Sequence, residues 1–65
     1  MELPVYYKSV VFIDKSGNEH KGYLEPQFGI DDHCMFFEPD KDDPDGFNGF
    51  FYDPDNIKYW SYISN

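Results

Sequence analysis

At 65 residues the chain has room for one domain, residues 1–65, and a core of that size contributes only about 3 to 5 kcal/mol of stability, which excludes a second domain and a deep catalytic cleft. Thirteen acids against five lysines and no arginine give a net charge of -8, a balance that repels nucleic acid and anionic membranes, with no guanidinium to grip a phosphate in two places. The single cysteine, Cys34, rules out an internal disulfide and favours a reducing, cytoplasmic setting, while seven Phe, six Tyr and one Trp separate the chain from aromatic-poor disordered sequences.

The opening MELPVYYKSVVFID holds Glu2 and Lys8 and no long apolar run, so neither a signal peptide nor a membrane span is expected. Within it Val5 to Asp14 is rich in Val, Ile, Tyr and Phe and reads as a first strand, closed by the KSGNE turn. His20 to Glu25 is a second strand forming a hairpin with the first, with Gly22 permitting a bend and Pro26 ending the ladder. CMFFEP, 34–39, is a third strand, DKDDPDGFN the loop after it, and GFFYDP a fourth strand. Asp53-Pro54-Asp55-Asn56 has the chemistry of one helical turn, and IKYWSYI is a fifth strand. Alternation along these strands selects Phe12, Leu24, Phe36, Phe50 and Ile57 as the core.

The order of elements, the D-x-x-G turn, Gly22-x-Leu24 in strand two and the short patterns FIDKSG, KGYL and DPDNIKYW resemble small SH3-like or Sm-like barrels over about Lys8 to Ile63. The resemblance implies a mostly β chain: a five-stranded antiparallel barrel or strongly bent sheet with one short helical turn near 53–56. Sm-like proteins bind RNA through polar and basic loops, whereas the loops here are acidic. The ALYDY-type signature of peptide-binding SH3 domains aligns with no segment.

Residues 31–55 hold nine acids and one base, Lys41, while the rest of the chain is neutral. Calcium is the first chemistry such a segment suggests, yet setting Gly46 at position six of an EF-hand loop places Lys41 at position one and Tyr52 at position twelve, so the register fails. His33 and Cys34 are strand neighbours facing opposite ways and do not share a metal ion, which leaves a core cysteine and a surface histidine. Neither a phosphate-binding glycine motif nor an activated nucleophile is recognisable, so no enzyme and no cofactor is expected.

A protein-binding role remains. Carboxylates at Asp40, Asp42, Asp43, Asp45, Asp53 and Asp55, about 6 to 7 Å apart at alternate positions of an extended chain, would imitate a row of phosphates. Aromatic residues Phe47, Trp60 and Tyr62 would add contact energy that charge alone rarely supplies. In size and charge the chain is similar to small acidic phage-type proteins that block restriction, CRISPR or transcription machinery. The expectation is therefore an inhibitor or DNA-mimicking decoy that occupies the basic surface of a protein partner, binding neither nucleic acid nor membrane itself. The alternatives are an SH3-like interaction module whose acidic loop only maintains solubility, and a homo-oligomer that binds a small ligand between aromatic rings.

Overall fold

The computed structural model describes residues 2–27, 33–43, 46 and 48–64. It contains five antiparallel strands, β1 (Val10–Asp14), β2 (Glu19–Pro26), β3 (Cys34–Pro39), β4 (Gly49–Tyr52) and β5 (Ile57–Tyr62), in the order β4-β3-β2-β1-β5. A 3-10 turn, Pro54–Asn56, joins β4 to β5. The strands β4 and β5 remain edges, so the sheet is open and does not close into a barrel. Among the described residues no helix is long and apolar enough to cross a membrane.

The strand β2 changes partner midway. Its first half, Glu19 to Gly22, pairs with β1, and its second half, Tyr23 to Pro26, pairs with β3. At the changeover an ideal Cβ on Gly22 would lie 1.7 Å from the Phe37 carbonyl oxygen, so only glycine admits this approach of two backbones. The same changeover shortens β1. The sequence predicts a strand from Val5, but the β1–β2 ladder ends at Val10↔Gly22, and from Tyr23 onward β2 pairs with β3. The chain answers with a turn at Tyr6 and Tyr7, in which Tyr7 takes φ 63 and one bond survives from Tyr7 N to Leu24 O, 2.9 Å.

The β1–β2 hairpin follows from Asp14. Its Oδ1 accepts from Ser16 N at 2.9 Å and Asn18 N at 3.0 Å, and Gly17 turns the corner at φ 91. The strand β4 stops at Tyr52, two residues short of the prediction, because Asp53 caps the next turn: its Oδ1 accepts from Asp55 N at 2.9 Å, with Pro54 preset for the first position.

The core is Val10, Phe12, Leu24, Phe36 and Ile57, with Cys34, Tyr52 and Trp60 packed against it. Phe50, expected in this core, is 55% exposed. It shares a face with Tyr52, but Tyr52 stands opposite Phe36, whereas Phe50 stands opposite Glu38, past the end of the apolar cluster. Phe37 is buried separately. Its ring covers Gly49, where a Cβ would lie 2.6 Å from Cζ, and it lies between the rings of Tyr23 (5.5 Å) and Phe51 (4.9 Å).

Candidate functional site

The acidic loop is built by its own side chains. After Pro39 ends β3, Asp40 Oδ1 accepts from Asp42 N at 2.9 Å, Asp43 N donates to Asp40 O at 3.1 Å, and Asn48 N donates to Asp43 Oδ2 at 2.7 Å. Asp40 and Asp42 therefore sit in a tight turn rather than on an extended chain, and Asp53 with Asp55 forms a second turn. The regular row of charges expected from alternate spacing is absent at both places. Asp45 and Phe47 lie outside the described residues.

Beside the start of this loop, where the first residues of β2 approach the end of β3 and Phe50 of β4, is a groove of about 360 Å³, lined by Glu19, His20, Glu38, Pro39, Asp40, Lys41, Asp42 and Phe50. Four carboxylates face one lysine, and the exposed Phe50 ring supplies an apolar wall. Such a groove suits an entering ammonium or guanidinium group, attracted by the carboxylates and able to rest against an aromatic ring.

At its inner end His20 is clasped by two acids. Its Nε2 lies 2.8 Å from Asp14 Oδ2 and its Nδ1 lies 3.1 Å from Glu38 Oε1. The imidazole stacks on Phe12 at 5.2 Å and meets the Tyr52 ring at 4.4 Å, while the Tyr52 hydroxyl donates to Glu38 Oε1 at 3.3 Å. Lys21 N donates to Glu38 Oε2 at 3.3 Å. The clasp thus ties the β1–β2 half of the sheet to the β3–β4 half. Burial alone would push the imidazole down, but the Asp14 and Glu38 carboxylates outweigh it and hold His20 above its ordinary 6.5. His20 in turn, with the Asn18 amide, lowers Asp14 from 3.8 to about 2.

Both shifts concern the same ion pair and bound it from two sides. A raised histidine value means that the stabilisation is complete below 6.5 and is lost as pH rises through the folded-state value. A lowered aspartate value means that it is present above 3.8 and is lost as pH falls through about 2. The chain is expected to melt at a higher temperature at about pH 5 than at about pH 9, either side of the usual histidine range, and His20→Gln should abolish the difference. Thermal melts followed by circular dichroism measure this; a wild type more stable at the alkaline end would mean that the clasp holds a neutral ring.

The other sequence candidates lie elsewhere. Asp53 and Asp55 stand at the opposite end of β4 from Asp40, Asp42 and Asp43, and Trp60 and Tyr62 lie on β5, the far edge of the sheet. Trp60 is partly buried and donates through Nε1 to Glu2 O at 2.8 Å; Tyr62 accepts from Val5 N at 3.0 Å and carries Lys8 Nζ 4.7 Å above its ring. Cys34 is half-buried against the core, with its thiol pushed up by burial and by the Asp53 charge. His33, expected at the surface, is half-buried. Among the described residues no group of three or more His, Cys, Asp or Glu side chains is arranged to hold a metal ion.

Sequence reasoning missed Asp14, Glu38 and Tyr52 as partners of His20. The D-x-x-G turn did contain a signal, because it fixes the hairpin register and puts His20 opposite Phe12, on the inner face. No family model matches the chain, and neither does any curated protein or solved structure it was compared with.

Proposed function

We propose that this chain is a non-enzymatic, acidic protein-binding protein of the cytoplasm that covers a basic surface on its partner, of the kind that otherwise holds nucleic acid, and so acts as an inhibitor or decoy. The observation that carries the reading is the groove beside β3, where Glu19, Glu38, Asp40 and Asp42 surround the exposed ring of Phe50. Concentrated like charge speeds encounter with a basic surface and selects against acidic ones, and the Phe50 ring offers buried contact once the partner has arrived. Asp40 and Asp43 accept hydrogen bonds from Asp42 N and Asn48 N, so these two carboxylates are positioned before a partner arrives. His20, with both ring nitrogens against carboxylates, serves the frame of the groove rather than proton transfer.

The test uses the partner recovered by affinity capture from the native host. Asp42→Asn and Glu19→Gln should each weaken binding roughly twofold to fivefold at low ionic strength, as expected for exposed charges, and the difference should shrink when salt is added. Affinities unchanged by both substitutions, with no salt dependence, would refute the decoy.

A second reading, an SH3-like interaction module, is favoured by a different observation. The rings of Tyr7, Tyr23, Phe37 and Phe51 run in contact along the opposite face, at 5.7, 5.5 and 4.9 Å, and Tyr7 and Phe51 are at least half exposed. In that case Tyr7→Ala would remove partner binding while the acidic substitutions would not.

A further inference from the structure

The outer edge of β4 is the remaining unexplained surface. Asp40 N donates to Asn48 O, and the register runs without a break from Pro39↔Gly49 to Phe36↔Tyr52. Alternation in an antiparallel ladder then makes Glu38/Phe50 and Phe36/Tyr52 the hydrogen-bonded pairs. Gly49 and Phe51 consequently direct their N–H and C=O groups away from β3, and no other described residue bonds to them. On the opposite edge, β5, two side chains are tied to the N-terminal segment: Trp60 Nε1 donates to Glu2 O and the Tyr62 hydroxyl accepts from Val5 N.

Two further features make β4 more than an idle edge. Phe50 and Phe51, 55% and 50% exposed, present rings on both faces of the same short strand, and Phe51 is already oriented by its contact with Phe37. Carboxylates flank the strand at each end, Asp40 and Asp42 before it and Asp53 and Asp55 after it. Four strand residues span about 13 Å, which sets the spacing that a complementary segment must match. A second copy of the chain would bring another net -8 to the same place, so charge argues against self-pairing.

We propose that β4 is the docking strand for the partner: an extended segment of Lys or Arg, about four apolar or β-branched residues, then Lys or Arg again, adds to it as a sixth strand. Main-chain bonds to Gly49 and Phe51 supply the register, the two Phe rings receive the alternate side chains of the segment, and the two aspartate groups receive its basic ends. The inference rests on the protein-binding reading above and specifies its geometry. A short, charge-flanked edge is also how proteins prevent unwanted strand pairing, and the experiment separates the two roles.

The whole chain, labelled with nitrogen-15, is titrated with the octapeptide Lys-Lys-Val-Thr-Val-Thr-Lys-Lys at millimolar concentration, and amide hydrogen exchange is followed by NMR. Strand addition slows exchange at Gly49 and Phe51 on the order of tenfold, with smaller effects on Phe50 and Tyr52, whose amides already face β3. An interleaved octapeptide of the same composition, Lys-Val-Lys-Thr-Lys-Val-Lys-Thr, should give little protection. Phe51→Pro deletes an outward N–H without removing a bond to β3, and it should lower affinity at least fivefold more than Phe51→Ala, which keeps that N–H. Octapeptide binding with unchanged exchange at Gly49 and Phe51 would overturn strand addition while leaving the basic partner in place. Equal protection by both peptides would overturn the basic-apolar-basic pattern, and protection without peptide that grows with protein concentration would assign the edge to a second copy. No binding of either peptide would overturn the docking strand, whereas the decoy stands or falls on the salt dependence of the captured partner.

Discussion

Gly22→Ala is expected to leave a chain that does not hold this fold at room temperature. The added methyl group would sit 1.7 Å from the Phe37 carbonyl oxygen and 2.8 Å from its carbonyl carbon, and both neighbours are backbone atoms of a paired strand. Relief requires β2 and β3 to separate where β2 changes partner, which breaks the Tyr23↔Phe37 pairing and uncovers the buried Phe37. Overpacking of this kind costs about 3 kcal/mol or more, against a total of about 3 to 5 kcal/mol for a core this small. Gly17→Ala provides the comparison. Nothing lies within 4 Å of its Cβ position, and only the φ of 91 is unfavourable, so the loss there should be about 1 kcal/mol. Urea denaturation of both variants measures the contrast, and a Gly22→Ala midpoint close to that of the wild type would show that the backbones are less tightly apposed.

The second large effect is expected at Phe12. This ring is fully buried and meets Phe36 at 4.8 Å, Tyr52 at 5.7 Å and the imidazole of His20 at 5.2 Å. Phe12→Ala should cost about 3 to 5 kcal/mol, enough by itself to unfold the chain. Phe12→Leu preserves much of the volume and should cost less than about 1.5 kcal/mol, while removing the aromatic surface on which His20 rests. The leucine variant is therefore expected to fold and yet to show a different imidazole titration from the wild type. The titration is followed through the His20 ring protons by NMR. An unaltered midpoint would mean that the carboxylates alone position the ring.

Much of the framework was legible in the sequence because proline and turn chemistry mark it out. The β3 range Cys34–Pro39 and the start of β5 at Ile57 follow from Pro39 and from Asp53-Pro54, and alternation identified Phe12, Leu24, Phe36 and Ile57 as core. Phe50 shows the limit of that argument. Alternation assigns a side chain to a face, but its depth depends on which residue stands opposite, and Glu38 is no apolar neighbour. Val5 to Ser9 shows a second limit, for the segment has strand-forming residues but loses its partner where β2 passes to β3. The His20–Glu38 contact was hidden for a third reason. It spans 18 residues and depends on the β2–β3 register, whereas the His20–Asp14 contact lies within a hairpin whose turn is written locally.

The position of β1 between β2 and β5 also orders events during synthesis. Its pairing with β2 is available once the hairpin to Pro26 is free, but its other flank needs Tyr59 to Tyr62. A nascent chain lacking those residues would carry Val10 and Phe12 on a strand with one neighbour missing, and distant pairings of this kind form slowly. The sheet can be completed only after residue 62 has left the ribosomal tunnel, so β1 is expected to gain its second neighbour last.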